Sequence, residues 1–325
     1  MLRGLRWWEQ VVAVGVPLGA VVVAVLAASV LIRWFVRSAR RRPGPSRRWR
    51  RITERVLVGL FVVELLCGLY AWGVEPYWPE VTRHRIVLSQ LPPQSSPIRL
   101  VHISDTHCDA KVRLEDELPE RIAALEPDAI VFTGDAINAP AGRENFRTLM
   151  RSLRRIAPVY AVTGNWESIT ELSVGPLYAD AGVRVLDGAA RPLGVSAGNV
   201  WLAGSADGDV DGLLAALAEV PDDAAVVVLH HRPDAIERVA RAGGDVYCAG
   251  HTHGGQVALP FYGAMVTLSR HGRRFARGRH RVGETTLLVN RGIGTEGGRA
   301  PRIRFCSRPE IGLIELVPAS GDASR

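Results

Sequence analysis

Five short apolar runs in this 325-residue chain each lead into residues that ligate metals, and that regularity constrains the fold more than any other feature. The runs are Ile98–Ile103, Ala129–Phe132, Val159–Val162, Val226–Leu229 and Val246–Cys248. The polar residues that follow them are Asp105-Thr106-His107, Gly134-Asp135, Gly164-Asn165, His231 and Gly250-His251-Thr252-His253. Short, mostly β-branched runs bounded by turn residues read as buried strands. Helical patterns over Leu114–Leu125 and Glu144–Ile156 separate the first three. Strand–helix–strand repetition predicts βαβ units and a largely parallel sheet. Asp105 and Asp135 are 30 residues apart, as are Asp135 and Asn165, about one such unit each. Ligands of such sheets bind beyond the carboxyl ends of the strands, where all these polar residues fall.

The residue types suit two adjacent divalent ions: two Asp, one Asn and four His. Neutral imidazole suits manganese, iron or zinc, and a carboxylate can bridge two ions. Two ions roughly 3.5–4 Å apart can clamp a phosphoryl group and lower the pKa of a bridging water. The resulting hydroxide would be the nucleophile, so no activated Ser or Cys is required. Taken singly the pieces are weak. Asp-x-His is uninformative alone, Gly-Asp and Gly-Asn are ordinary turns, and His231-Arg232-Pro233-Asp234 reads as a helix start with proline near its first position. The pair His251 and His253 between glycines is the most specific, and the common order of all five segments carries the argument.

From about residue 98 to residue 316 the chain resembles the calcineurin-like metallophosphoesterases, through "ISDTHCD", "FTGDAIN", "VTGNWES", "LHHRPD" and "AGHTHGGQ". Its "NRGIGTEGG" and "PEIGLIEL" segments resemble the membrane-associated branch containing the YkuE- and YaeI-like phosphoesterases. The resemblance implies an α/β fold, a two-sheet sandwich flanked by helices. It also implies that Asp105, His107 and His253 hold one metal, that Asn165, His231 and His251 hold the other, and that Asp135 bridges. Asp135, Asn165 and His251 would stand at the catalytic centre. One departure is sharp: Trp166 stands where the family has a histidine that contacts phosphate and assists the leaving group. Indole offers only an N–H donor. Asn138 replaces an acid common in relatives, which predicts weaker support of the ligands. His230 competes with His231 as a ligand, and the His-x-Pro-Asp pattern favours His231. Three readings follow: a phosphodiesterase or pyrophosphatase acting on a lipid or cell-envelope substrate, a UDP-2,3-diacylglucosamine-type pyrophosphohydrolase of lipid A synthesis, and a catalytically silent metal-binding membrane scaffold.

The N-terminus reads as a membrane anchor. Val11–Ile32 is 22 residues without a charge, enough to span a bilayer, and Trp7, Trp8 and Trp34 flank it. Val56–Val74 is 19 residues with one charge, Glu64, and Pro76 to Pro79 end it sharply. Residues 1–78 are therefore expected to form a two-helix anchor and residues 79–325 the catalytic domain. Ten Arg and one Glu lie between Arg33 and Arg55, giving +9 of the chain's +7 net charge, so the remainder sums to −2. The basic balance thus gives no reason to expect nucleic acid as a partner. A cytoplasmic arginine-rich loop would place both termini and the catalytic domain outside, in a multi-pass membrane protein. Residues 40–50 read as irregular and the last eight as a tail.

Elsewhere the sequence says less. The four cysteines have no zinc spacing and read as free thiols. A second basic run, Arg270 to Arg281, reads either as a solvated ribbon or as a face toward the metal site or anionic headgroups, with Arg270, Arg273 and Trp166 as candidate substrate contacts. Nothing in the sequence identifies a protein partner.

Overall fold

The computed structural model describes residues 48–169, 174–194, 199–297 and 301–319, with Ser29 and Ile32. The chain forms two compact units, Met1–Val74 and Glu75–Arg325. Of the first unit the structure describes chiefly helix α1, Arg48–Gly73. The stretch Glu54–Tyr77, with mean hydropathy 2.0, is long and apolar enough to cross a membrane. The expected span Val11–Ile32 lies outside the described residues, apart from Ser29 and Ile32. Part of the expected loop is helical, since Arg48, Arg50, Arg51 and Arg55 lie in α1; Arg33 to Arg47 lie outside the described residues. Arginine has a helix propensity near that of leucine, so a basic run does not by itself break a helix.

The second unit is built around β1 (Glu80–Leu88), β2 (Ile98–Ile103), β3 (Ala129–Thr133), β4 (Val159–Val162), β5 (Arg184–Val185), β6 (Ala189–Pro192), β7 (Val200–Gly204), β8 (Ala225–Leu229), β9 (Val246–Ala249), β10 (Ala258–Leu259), β11 (Gly263–Ala264), β12 (Gly278–Val282), β13 (Thr285–Val289) and β14 (Glu310–Pro318). Among the described residues these make two six-stranded sheets, β1-β14-β2-β3-β4-β5 and β12-β13-β9-β8-β7-β6, and the small hairpin β10-β11. The centre of each sheet is parallel, as expected, whereas β14 runs antiparallel to β2, β12 to β13 and β6 to β7. The sequence reads Arg85–Leu88 as a strand that leads into the first core run; β1 is longer, starting at Glu80, because it pairs along its whole length with β14. Its exposed face carries Val81, Arg83, Arg85 and Val87.

Strand alternation explains why the core runs are apolar throughout. Leu100, Val131, Val162, Val227 and Cys248 point between the sheets. Val101, Ile103, Ile130 and Phe132 point the other way, onto the flanking helices Leu118–Ala123 and Arg143–Arg154. On the far side Val226, Val228 and Tyr247 meet helices Val210–Ala218 and Ile236–Arg241. Strands covered on both faces have no solvated side to carry polar residues. Polar residues therefore collect at the strand ends, and the carboxyl ends of both sheets open at one edge of the sandwich. Cys67, Cys108 and Cys248 are free thiols, the last two buried, and Cys306 is exposed.

Candidate metal centre

The turns beyond β2, β3, β4, β8 and β9 are stitched into one another by main-chain bonds. The Asp105 N–H donates to Gly134 O (2.9 Å), His107 N–H to Asp135 O (3.0 Å) and Gly250 N–H to His231 O (2.9 Å). The glycines of the Gly-Asp and Gly-Asn turns lie back to back. A Cβ on Gly134 would stand 2.4 Å from Gly164 N, and one on Gly164 would stand 2.3 Å from Asp135 Oδ1. Gly134 also has φ +86°. No larger residue allows both turns to close, which is the physical content of those two short motifs.

Five of the side chains these turns present come from residues with left-handed backbone: Asp105 (φ 50°), His107 (41°), Asp135 (59°), His251 (70°) and His253 (51°). Asp and His tolerate this region better than most residues, yet five in one place is strain concentrated at a site. Together with His231 they form two buried groups, Asp105, His107 and His253 in one and Asp135, His231 and His251 in the other, with the ligand-capable atoms of each group within 4.8 Å of one another. Asn165 joins the second group, its Oδ1 3.1 Å from His231 Nε2. Asp135 Oδ2 lies between the groups, 3.5 Å from His107 Nε2 and 3.3 Å from His231 Nε2. The structure thus brings together all seven residues that the sequence put forward as ligands.

Burial sets their charges in the polypeptide alone. It holds His107 down to about 4, His251 to about 3 and His253 well below the ordinary value. Burial pushes Asp105 up to about 7. Burial also opposes charge on His231 and Asp135, but their mutual attraction outweighs it, taking His231 up and Asp135 down. Neutral imidazole lone pairs, two carboxylates and an amide oxygen are a donor set that fits borderline divalent cations. His107 Nε2 and His253 Nε2, 3.1 Å apart, share at most one proton, and His107 Nδ1 has no hydrogen-bond partner among the described residues. A cation between those nitrogens resolves the contact better than a proton does.

The surroundings hold residues that the sequence did not single out. The Glu167 carboxylate accepts from the N–H groups of Asp135 (3.2 Å), Ala136 (2.8 Å) and Gly164 (2.9 Å) and from the Tyr178 hydroxyl (2.7 Å), locking the Asp135 and Asn165 turns together. Nothing in its spacing from Asn165 announces that role. Arg304 is fully buried, donates to the carbonyls of Gly292, Ser307 and Arg291, and reaches within 3.4 Å of His253 Nδ1. Nothing local in its sequence marks it. Asn138 does not weaken support as expected: it donates to His107 O (3.0 Å) and Thr295 O (3.2 Å) and accepts from Gly297 N–H (2.9 Å). An amide has both donors and acceptors here, where an acid would have only acceptors.

His230 is buried with both ring nitrogens unpartnered among the described residues, and it stands apart from the two groups. The ring of Trp166 packs edge-on to His107 with centroids 5.4 Å apart, and its backbone N–H donates to Asp135 Oδ1 (2.9 Å). Arg270 and Arg273 engage other partners. Arg270 pairs with Asp234 at 3.7 Å, and Arg273 lies over the Tyr262 ring at 3.9 Å and donates to Tyr262 O.

The calcineurin-like phosphoesterase superfamily domain matches residues 98–273. Over 260 residues the chain is 30% identical to the metallophosphoesterase YkuE of Bacillus subtilis (strain 168), spanning 76% of this chain and 88% of YkuE. It is 28% identical over 260 residues to the phosphodiesterase YaeI of Escherichia coli (strain K12), spanning 76% and 92%. It is also 26% identical to the UDP-2,3-diacylglucosamine pyrophosphatase LpxG of Chlamydia muridarum (strain MoPn / Nigg), spanning 80% of this chain and 96% of LpxG. A matched domain over more than half of the chain, and identity to YkuE along most of both proteins, establish that this chain belongs to the calcineurin-like phosphoesterase superfamily, as a metal-dependent phosphoric ester hydrolase.

Proposed function

We propose that this protein is a membrane-anchored, dinuclear phosphoesterase that hydrolyses a phosphoester or pyrophosphate of a lipid or cell-envelope molecule. Asp105, His107 and His253 would hold one ion, Asn165, His231 and His251 the other, and Asp135 would serve both. The observation that carries this reading is the position of Asp135 Oδ2, 3.5 Å from one group's His107 and 3.3 Å from the other group's His231. Bound divalent ions supply Lewis acidity toward phosphoryl oxygens and ionise a water near neutral pH. The chain's own residues supply the rest. Asp105 and Asp135 offset cationic charge, and the Thr133 and Leu268 carbonyls, 2.6 and 3.4 Å from His231 Nδ1 and His251 Nε2, fix which nitrogen of each ring is bare. Trp166 covers His107 and gives no proton to a departing oxygen.

The membrane part of the reading rests on helix α1, whose apolar side chains Leu60, Val63, Leu66 and Leu69 are exposed rather than packed as in a soluble core. A tether confines the site to the bilayer and raises the effective concentration of lipid substrates. The likeness to LpxG along nearly its whole length favours a second reading, a pyrophosphate-linked lipid such as the one in that relative's name. The two readings differ in side. The arginine-rich segment argues for an external catalytic unit, whereas a UDP-linked lipid precursor is cytosolic. C-terminal fusions to an exported and to a cytosolic reporter separate them.

The direct test loads the full chain in nanodiscs with manganese or zinc. Hydrolysis is then measured on bis(p-nitrophenyl) phosphate, lipid phosphodiesters and UDP-2,3-diacylglucosamine. Turnover of a lipid-linked substrate above that of soluble esters is the expected result. Bound metal with no hydrolysis of any of them would return the silent scaffold.

A further inference from the structure

The loop that leaves the site at His253 and returns to it at Leu268 carries a feature the chemistry does not use. It forms the hairpin β10-β11, whose tip is Pro260-Phe261-Tyr262. The Tyr262 N–H donates to Pro260 O (2.8 Å) across Phe261, which has φ 65°. A three-residue turn with positive φ at its centre is a rare and strained conformation, and a bulky aromatic is among the worst residues to place there. The Phe261 side chain is also wholly in solvent, at 111% of its reference area. One exposed apolar residue is ordinary on a protein surface. One held at the apex of a strained turn, where glycine or asparagine would fit without penalty, calls for an apolar environment outside the chain.

Charge indicates what that environment is. Residues 254–276 contain three Arg and no Asp or Glu. The Arg270 side chain is 73% exposed although it reaches Asp234 at 3.7 Å, and Arg274 is exposed and has no acidic partner among the described residues. Arg273 braces the tip through Tyr262, with its guanidinium over the ring. An apolar apex in a loop whose own charges are all cationic is the pattern that enters the boundary between headgroups and acyl chains of an anionic leaflet. Both ends of the loop are tied to the site: His251 Nε2 meets Leu268 O at 3.4 Å, and the turn His253–Gly255 leads directly into the hairpin.

We infer that this hairpin is a second, interfacial contact with the bilayer. Phe261 enters the lipid and Arg270 and Arg274 face anionic headgroups, so that the rim of the metal centre is held against the membrane surface. The inference rests on the reading that the chain is membrane-anchored, and the test separates the two.

On a Cys67→Ser, Cys306→Ser background, Phe261→Cys, Leu69→Cys and Asp222→Cys are each labelled with an environment-sensitive dye. The full chain is placed in phosphatidylcholine–phosphatidylglycerol nanodiscs with or without nitroxide-bearing lipid. Labels at 69 and 261 should lose at least about half their emission to the nitroxide, and a label at 222 should keep nearly all of it. Quenching at 69 without quenching at 261 overturns the hairpin contact and leaves the anchor standing, whether the 261 label is in water or shielded by a second copy of the chain. Absence of quenching at 69 removes the anchor itself. Arg270→Glu combined with Arg274→Glu should reduce quenching at 261 but not at 69; unchanged quenching at 261 overturns the assignment to an anionic surface.

Discussion

The two halves of the metal centre are braced differently. In the half made by Asn165, His231 and His251, the outer nitrogen of each ring faces a carbonyl: His231 Nδ1 is 2.6 Å from Thr133 O and His251 Nε2 is 3.4 Å from Leu268 O. Each outer nitrogen therefore keeps its proton, and the inner nitrogen is the one a cation would take. In the half made by Asp105, His107 and His253 the outer nitrogens lack such acceptors. His107 Nδ1 has no partner among the described residues, and His253 Nδ1 faces the Arg304 guanidinium, itself a donor. This half is held by backbone instead, with left-handed φ at all three residues and with Asn138 and Arg304 tying its loops. One half is set electronically and the other geometrically, so they should differ in how tightly they hold an ion.

The largest expected effect removes the residue that both halves share. Asp135→Asn keeps the oxygen that accepts from Trp166 N–H but loses the charge between the groups. It should release at least one ion per chain and lower hydrolysis by about a thousandfold or more, read by metal analysis and by turnover of an activated phosphodiester. Full activity in that variant would refute a shared carboxylate.

Trp166 sits against the half made by Asp105, His107 and His253, so Trp166→His adds a titratable ring on that side only. General acid help is worth roughly 10²–10⁴-fold for a poor leaving group. The variant should gain on alkyl esters and little on nitrophenyl esters. The wild type should prefer departing groups that are already stable, such as a phosphate of a pyrophosphate. A series of leaving groups decides it: if kcat/KM depends no more steeply on leaving-group pKa in the wild type than in the variant, another group supplies the acid.

The bracing difference predicts a smaller effect. Loss of a carbonyl or carboxylate partner to a ligand ring typically costs about 10–100-fold in metal affinity. The ion held by Asp105, His107 and His253 should therefore leave first during a chelator titration. Substitution of His107 should leave one ion in place, where substitution of His231 disturbs both. Simultaneous release of both ions would mean that the halves are not distinct.

The smallest effect lies behind both halves. His102 bonds Thr133 Oγ1 at 2.9 Å, and Thr133 supplies the carbonyl for His231 and a hydroxyl bond to Ser104 (2.8 Å). Burial holds His102 down to about 3, from 6.5. Between those values the unfolded chain binds a proton that the folded chain does not, so this residue's contribution makes stability rise with pH, by up to about 1.4 kcal/mol per unit. Denaturant unfolding of the detergent-held protein at several pH values should show that slope, and His102→Gln should reduce it by one proton's worth. An unchanged slope would mean that the ring is not neutral in the fold.

The same contrast runs through what the sequence made legible. The strands could be read because a run covered on both faces must be apolar, and the seven clustered side chains could be read because each stands where such a run stops. Edge strand β1 was shortened in that reading because half of it is solvated and charged. Arg48 to Arg55 read as loop because charge, not propensity, dominated the pattern. Glu167 and Arg304 were invisible for another reason. Their importance lies in four main-chain and side-chain donors converging on one carboxylate, and in the carbonyls of Arg291, Gly292 and Ser307 converging on one guanidinium. Convergence of backbone groups leaves no spacing pattern to read.

The measurement that bears most directly on the account is a titration of the metal-free, full-length protein with manganese or zinc, following ions bound per chain and phosphodiester hydrolysis in the same samples. Two ions per chain should bind, at unequal affinity, with hydrolysis rising as the second site fills. Saturation at one ion per chain, or full hydrolysis before the second ion binds, would contradict it.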